Sequence, residues 1–175
     1  MITPKEVDRL QDAARKHSRY GHRDATAILI AYRHGLRASE LCELTWNMIE
    51  LDSGRIHVRR AKNGVDSTHP LTGKEIRALR QLRRENLQSR FVFNTERGGP
   101  VTRAWFLKIV RRVGELAKLA FPIHPHMLRH ATAPRPIRVK SSRVSIRQRP
   151  ENVGSNLPVL QATKFAPTRY RVNIS

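Results

Sequence analysis

The chain has a single cysteine, Cys42, in 175 residues. That excludes an intrachain disulfide framework and a cysteine-based zinc site. It also lacks a long hydrophobic run. The longest apolar stretch lies around Ala25–Ala31, far short of the roughly 20 residues that a membrane-spanning helix needs. Met1-Ile2-Thr3-Pro4-Lys5-Glu6 has no charged-then-apolar signal pattern, so secretion is not expected and a cytoplasmic location is. Acid is scarce as well. Only 14 Asp and Glu stand against 34 Lys and Arg, a formal net charge of +20. Such a surface steers in a polyanion. On charge alone DNA, RNA and a merely basic solvated surface are equally good readings.

The charge and the prolines divide the chain. Residues 1–132 hold 25 basic and 13 acidic side chains, and residues 133–175 hold 9 and 1. The second segment carries five of the ten prolines and shows no helical or strand period. We therefore expect a domain over 1–132 and a basic, Pro/Arg/Ser-rich, poorly ordered tail over 133–175.

The first segment reads as mainly α with a small antiparallel sheet, an α+β fold. Thr3-Pro4-Lys5-Glu6 is a capping box that opens a helix to about His17. A second helix, about His22 to His34, is apolar nearly all round at Ala27–Ala31, as a buried central helix is. Gly35 stops it. Ala38-Ser39-Glu40-Leu41 starts a short helix ending near Trp46. Asp52-Ser53-Gly54 and Lys62-Asn63-Gly64 are turn signals. They predict a three-stranded meander over 48–71. Thr72 caps a helix to about Asn86, and Phe91-Val92-Phe93 reads as a short buried strand or extended segment. Thr102 caps a long helix to about Leu119, with Trp105, Ile109, Val113 and Leu116 as one stripe and Phe106 and Val110 beside it. Pro125 opens a last helix to Thr132.

Three basic clusters can carry chemistry: Arg33-His34-Gly35-Leu36-Arg37, Arg59-Arg60-Ala61-Lys62, and His124-Pro125-His126-Met127-Leu128-Arg129-His130. His126 and Arg129 are three apart and share a helix face. Such a pair suits a phosphate, Arg by its fork and His by a single ring nitrogen. His126 and His130, at i and i+4, have the spacing of a metal pair. No His-Glu-x-x-His pattern or cysteine supports them, so no metal site is expected. Each cluster alone is also what a solvated helix end or hairpin tip looks like.

Taken together, the motifs resemble one family. Gly35-Leu36-Arg37-Ala38-Ser39-Glu40-Leu41, Lys62 after a strand, and His126-Met127-Leu128-Arg129-His130 come in the order and spacing of tyrosine recombinases, the phage-integrase family. The stretches Ala31–Arg37, Ser67–Leu71 and His124–His130 resemble its short fimbrial phase-inversion type. The likeness runs through about residues 2–132. It implies a recombinase catalytic domain acting on double-stranded DNA, with no metal or nucleotide cofactor and, in the family, a tetramer on two sites. It implies that Arg37 and Arg129 are the two catalytic arginines, Lys62 the hairpin lysine and His126 the histidine of the His-x-x-Arg box. In that family a tyrosine attacks the scissile phosphate, forms a 3′-phosphotyrosyl link and releases a 5′-hydroxyl.

The likeness breaks after Arg129. The family's nucleophilic tyrosine comes a little over thirty residues later, where this chain has Leu160-Gln161-Ala162. Thr163–Tyr170 again resembles the family's segment just beyond the nucleophile, which puts Ala162 in the tyrosine's place. Residues 133 to about 161 read as an out-of-frame stretch between matching flanks. The expectation is a recombinase impaired in cleavage, or a non-catalytic DNA-binding protein derived from one. Tyr170, about eight residues late, is the alternative nucleophile.

Overall fold

Capping chemistry sets where the helices begin. The computed structural model describes residues 2–60 and 65–131. The chain divides after Val139, and all described residues fall in the first unit. In order they form α1 (Pro4–His17), α2 (Gly21–His34), α3 (Ala38–Cys42), a 3₁₀ turn (Trp46–Met48), β1 (Ile49–Glu50), β2 (Arg55–Val58), β3 (Ser67–Pro70), α4 (Gly73–Glu85), α5 (Arg103–Leu116) and α6 (Pro125–Ala131). At α1 the Glu6 amide donates to Thr3 Oγ1 at 3.3 Å, and the Thr3 amide donates back to Glu6 Oε2 at 2.7 Å. At α5 the Trp105 amide donates to Thr102 Oγ1 at 3.1 Å. Each cap satisfies helix donors that otherwise lack a partner and contributes about 1 kcal/mol.

Helix α2 is the central element. Every residue from Asp24 to Ala31 is buried, and α1, α3, α4 and α6 pack around it. Its first residue must be small: a Cβ on Gly21 would lie 2.5 Å from the Arg15 carbonyl oxygen of α1. Its last turn ends on Gly35 in the left-handed region at φ 59°. Glycine takes up that geometry without the cost that a Cβ brings.

The sheet is antiparallel, in the order β1-β2-β3. Ile49 pairs with Ile56, Ile56 with His69, and Val58 with Ser67. Ile49, Ile56 and Val58 point into the core, and alternate residues face out, as a half-buried strand requires. The hairpin turn predicted at Lys62-Asn63-Gly64 lies outside the described residues, as do the tail from 133 to 175 and Tyr170.

Several expectations shift. The third helix stops at Cys42 rather than near Trp46, and the chain continues into the 3₁₀ turn. Phe91–Phe93 is not a strand of the sheet. The Val92 amide donates to Leu44 O at 3.0 Å and Phe91 forms a lone bridge with Thr45, so this buried segment pairs with irregular backbone instead. The inward face of α5 is Phe106, Val110, Val113 and Gly114, on the side of the stripe where Phe106 and Val110 lie. Trp105 stays at the edge, where the Arg23 guanidinium stacks on its ring at 4.8 Å. Leu116, at the far end of the stripe, is 41% exposed.

Candidate functional site

The left-handed turn at Gly35 aims the chain into α3, so that Arg37 becomes the residue capping its N-terminus. Glu40, one turn on, folds back over it. The Arg37 amide donates to Glu40 Oε2 at 2.9 Å and Arg37 Nη1 to Oε1 at 2.8 Å. Arg129 reaches the same place from α6. Its Nη1 donates to the Gly35 carbonyl at 3.1 Å and lies 3.7 Å from Glu40 Oε2. Arg60, at the end of β2, completes the group, with Nη1 donating to Glu40 Oε2 at 3.1 Å. The first and third basic clusters thus converge from elements far apart in sequence, and the second contributes a residue to the same point.

The electrostatics favour an incoming anion. Three guanidiniums gather on one buried carboxylate, so positive charges outnumber the negative one among these four side chains. At about 4 Å and an effective dielectric near 20, each such charge attracts a monoanion by roughly 4 kcal/mol before desolvation. The Glu40 side chain is 2% exposed, whereas those of Arg37 and Arg129 are 40% and 28% exposed. The carboxylate is therefore the buried anchor, and the two arginines are partly open to solvent. Burial lowers the pKa of Arg129, the nearby Arg37 and Arg60 charges add to the shift, and Glu40 opposes it. A guanidinium stays cationic through such a shift.

Arg37, His126 and Arg129 line one cavity of about 590 Å³, with Leu36, Ala38 and Leu107 among its apolar walls. His126 is exposed, and its ring stacks on His130 with centroids 4.4 Å apart. Among the described residues no group of three or more His, Cys, Asp and Glu is placed to hold a metal. The structure thus brings together three of the four residues picked out in the sequence. The fourth, Lys62, lies outside the described residues.

A second polar cluster lies behind the arginines. Buried His34 has Nε2 2.8 Å from Glu75 Oε1, and its Nδ1 is 3.2 Å from His69 Nδ1. His69 Nε2 meets Ser67 Oγ at 2.9 Å. Burial pushes the His69 pKa down to about 4, and the adjacent His34 and Arg60 push the same way. Burial works against the Glu75 carboxylate, but His34 and the Thr72 hydroxyl and amide outweigh it and hold its pKa low.

Sequence reasoning missed Glu40 as the hub, Arg60 as a member of the group, and the His34–His69–Glu75 cluster. For Glu40 a signal existed. A Glu three residues after a helix-starting position is the spacing of a capping box, and here that carboxylate also gathers side chains from elsewhere. The other groupings bring together residues with no local relation.

Comparison with known proteins places these features. The sequence matches the phage integrase family over residues 1–143. It is similar to the type 1 fimbriae regulatory protein FimE of Escherichia coli K12, at 38% identity over 136 residues, which is 74% of this chain and 68% of FimE. The fold is similar to that of XerA recombinase, with TM-score 0.65 and 23% identity, covering 74% of this chain. It is similar also to the lambda integrase catalytic core, with TM-score 0.62 and 23% identity, covering 74% of this chain and 78% of that one. The chain spans about two thirds of FimE and 47% of XerA.

Proposed function

The chain belongs to the phage integrase family, and from that premise we propose that it carries the phosphate clamp of a site-specific DNA recombinase. The observation behind this reading is the convergence of Arg37 and Arg129 on Glu40, beside His126 in one cavity. Arg37 and Arg129 bind the two non-bridging oxygens of a DNA phosphate and stabilise the charge that grows on them, by electrostatic preorganisation. In the cleaving form of this reading Tyr170 is the attacking hydroxyl, His126 takes up its proton and Lys62 gives one to the leaving 5′-oxygen. The bond between phosphorus and the tyrosine oxygen forms as the bond to the 5′-oxygen breaks. The phosphotyrosine keeps the energy needed to rejoin the strand, so the exchange needs no cofactor. The working unit is the domain over 1–132. The partner is double-stranded DNA in the cytoplasm, at the nucleoid, with copies of the chain assembling on it.

A second reading is favoured by one feature of the sequence. Residues 160–162, where the nucleophile belongs, are Leu-Gln-Ala. In that reading the chain keeps the clamp without cleavage and is a DNA-binding derivative of a recombinase. Incubation with nicked duplex DNA, followed by denaturing electrophoresis, separates the two. A covalent protein–DNA species that disappears in Tyr170→Phe makes the chain an enzyme with a displaced nucleophile. Duplex binding without any covalent species makes it a binding protein. No binding of either kind would sink both readings.

A further inference from the structure

Arg60 has no role in the phosphate clamp as described, yet its side-chain bonds turn inward. Nη1 donates to Glu40 Oε2 at 3.1 Å and to the Gly35 carbonyl at 3.3 Å, and Nη2 lies 3.4 Å from the His34 carbonyl. Its own amide donates to Asp66 Oδ1 at 3.0 Å, which fixes its backbone at the end of β2. The side chain is only 17% exposed. It does not line the cavity that Arg37, His126 and Arg129 share.

We propose that Arg60 is a positioning residue: it holds the Gly35 carbonyl and the Glu40 carboxylate against which Arg37 and Arg129 are set, and does not touch the bound phosphate. The chemistry of the guanidinium explains the choice of residue. The His34 and Gly35 carbonyls lie at the C-terminal end of α2, where the helix dipole is negative and the last carbonyls lack helical partners. A planar fork bonds two carbonyls and a carboxylate at once, whereas a lysine ammonium is a point charge without that fixed geometry. The Gly35 carbonyl also accepts from Arg129, and Glu40 holds Arg37. Arg60 therefore touches both anchors of the clamp from behind. With Arg60 gone, Glu40 and the Gly35 carbonyl each lose one of their donors, and the setting of Arg37 and Arg129 on them loosens.

This inference rests on the phosphate-clamp reading, and the experiment separates the two. Binding of a fluorescein-labelled duplex is measured by anisotropy with the full chain for the parent, Arg60→Met, Arg60→Lys, Arg37→Ala/Arg129→Ala, and the combination of that pair with Arg60→Met. Thermal melts of each accompany it. The expected result is a weakening of about tenfold in both Arg60→Met and Arg60→Lys. In the Arg37→Ala/Arg129→Ala background Arg60→Met adds less than about twofold, because residues that act through one another are not additive. If Arg60→Lys binds like the parent, only charge matters and the inference is wrong. A full effect of Arg60→Met in the doubly substituted background overturns it in the same way, and so does loss of the folded state in both Arg60 variants. If Arg37→Ala/Arg129→Ala itself leaves binding unchanged, the clamp reading fails first.

Discussion

Replacing Glu40 by Gln removes the one negative charge at the centre of three guanidiniums and keeps the shape. The carboxylate is nearly inaccessible and accepts from Arg37 twice, through its amide and its Nη1, and from Arg60 once, with Arg129 at 3.7 Å. A glutamine keeps one acceptor oxygen and turns an NH₂ group towards cationic donors. Breaking a buried ion pair costs about 3–5 kcal/mol. Arg37 and Arg129 are partly open to water, which screens their repulsion, so roughly 2–3 kcal/mol is the reasoned loss. For a domain of this size that is a fall in Tm of roughly 6–12 °C. The same argument fixes a second signature. The uncompensated cluster in Glu40→Gln binds free anions more tightly than the parent does, and a ligand of the folded state stabilises it by mass action. Circular-dichroism melts in sodium chloride and in sodium phosphate, at matched ionic strength, test both points. Glu40→Gln should lose stability in chloride and recover part of it in phosphate, while Glu43→Gln, at an exposed position, changes little in either. A Tm for Glu40→Gln within about 2 °C of the parent in chloride would refute the hub role.

The same geometry sets two further outcomes. The folded-state pKa of His69 is about 4 against an ordinary value of 6.5, so the unfolded chain binds more protons between those values and stability falls as pH drops from about 6.5 towards 4. Glu75, whose pKa is also lowered, adds stability above its unfolded value that is lost on further acidification. Urea melts across this range should show a shallower pH slope in His69→Gln, and parallel profiles for parent and variant would contradict it. Gly35→Ala places a Cβ at φ 59°, which costs about 1–2 kcal/mol, and it shifts the carbonyl that holds Arg60 and Arg129. The urea midpoint should fall accordingly, and an unchanged midpoint would show that the turn tolerates a side chain.

Features legible in the sequence and features hidden in it divide along physical lines. Thr3 with Glu6, Gly35 after α2, and the all-apolar centre of that helix act through neighbours a turn away, so they are legible as spacing. The inward stripe of α5 is not, because Trp105 and Phe106 are both large and apolar, and a helical period alone does not say which of two adjacent faces the core takes. Arg23 of α2 stacks on Trp105 at the edge, a contact with no local signature. The segment Phe91–Phe93 has the composition of a strand, but its partner is irregular backbone at Leu44–Thr45. In the site, Arg37, His126 and Arg129 are legible through resemblance to a family, and their convergence appears only in the geometry. Glu40 and Arg60 gain their meaning from contacts between residues 20 or more positions apart, and no local pattern encodes those.

In the proposed clamp Arg37 and Arg129 together grip a DNA phosphate. The salt dependence of duplex binding tests it most directly, because each phosphate contact contributes about 0.9 to the slope of log K against log salt. Arg37→Ala/Arg129→Ala should bind at least about tenfold more weakly than the parent, with a slope shallower by about one. Arg84→Ala, an exposed change on α4, should leave both nearly as they are. A doubly substituted protein with the parent's affinity and the parent's slope would contradict the account.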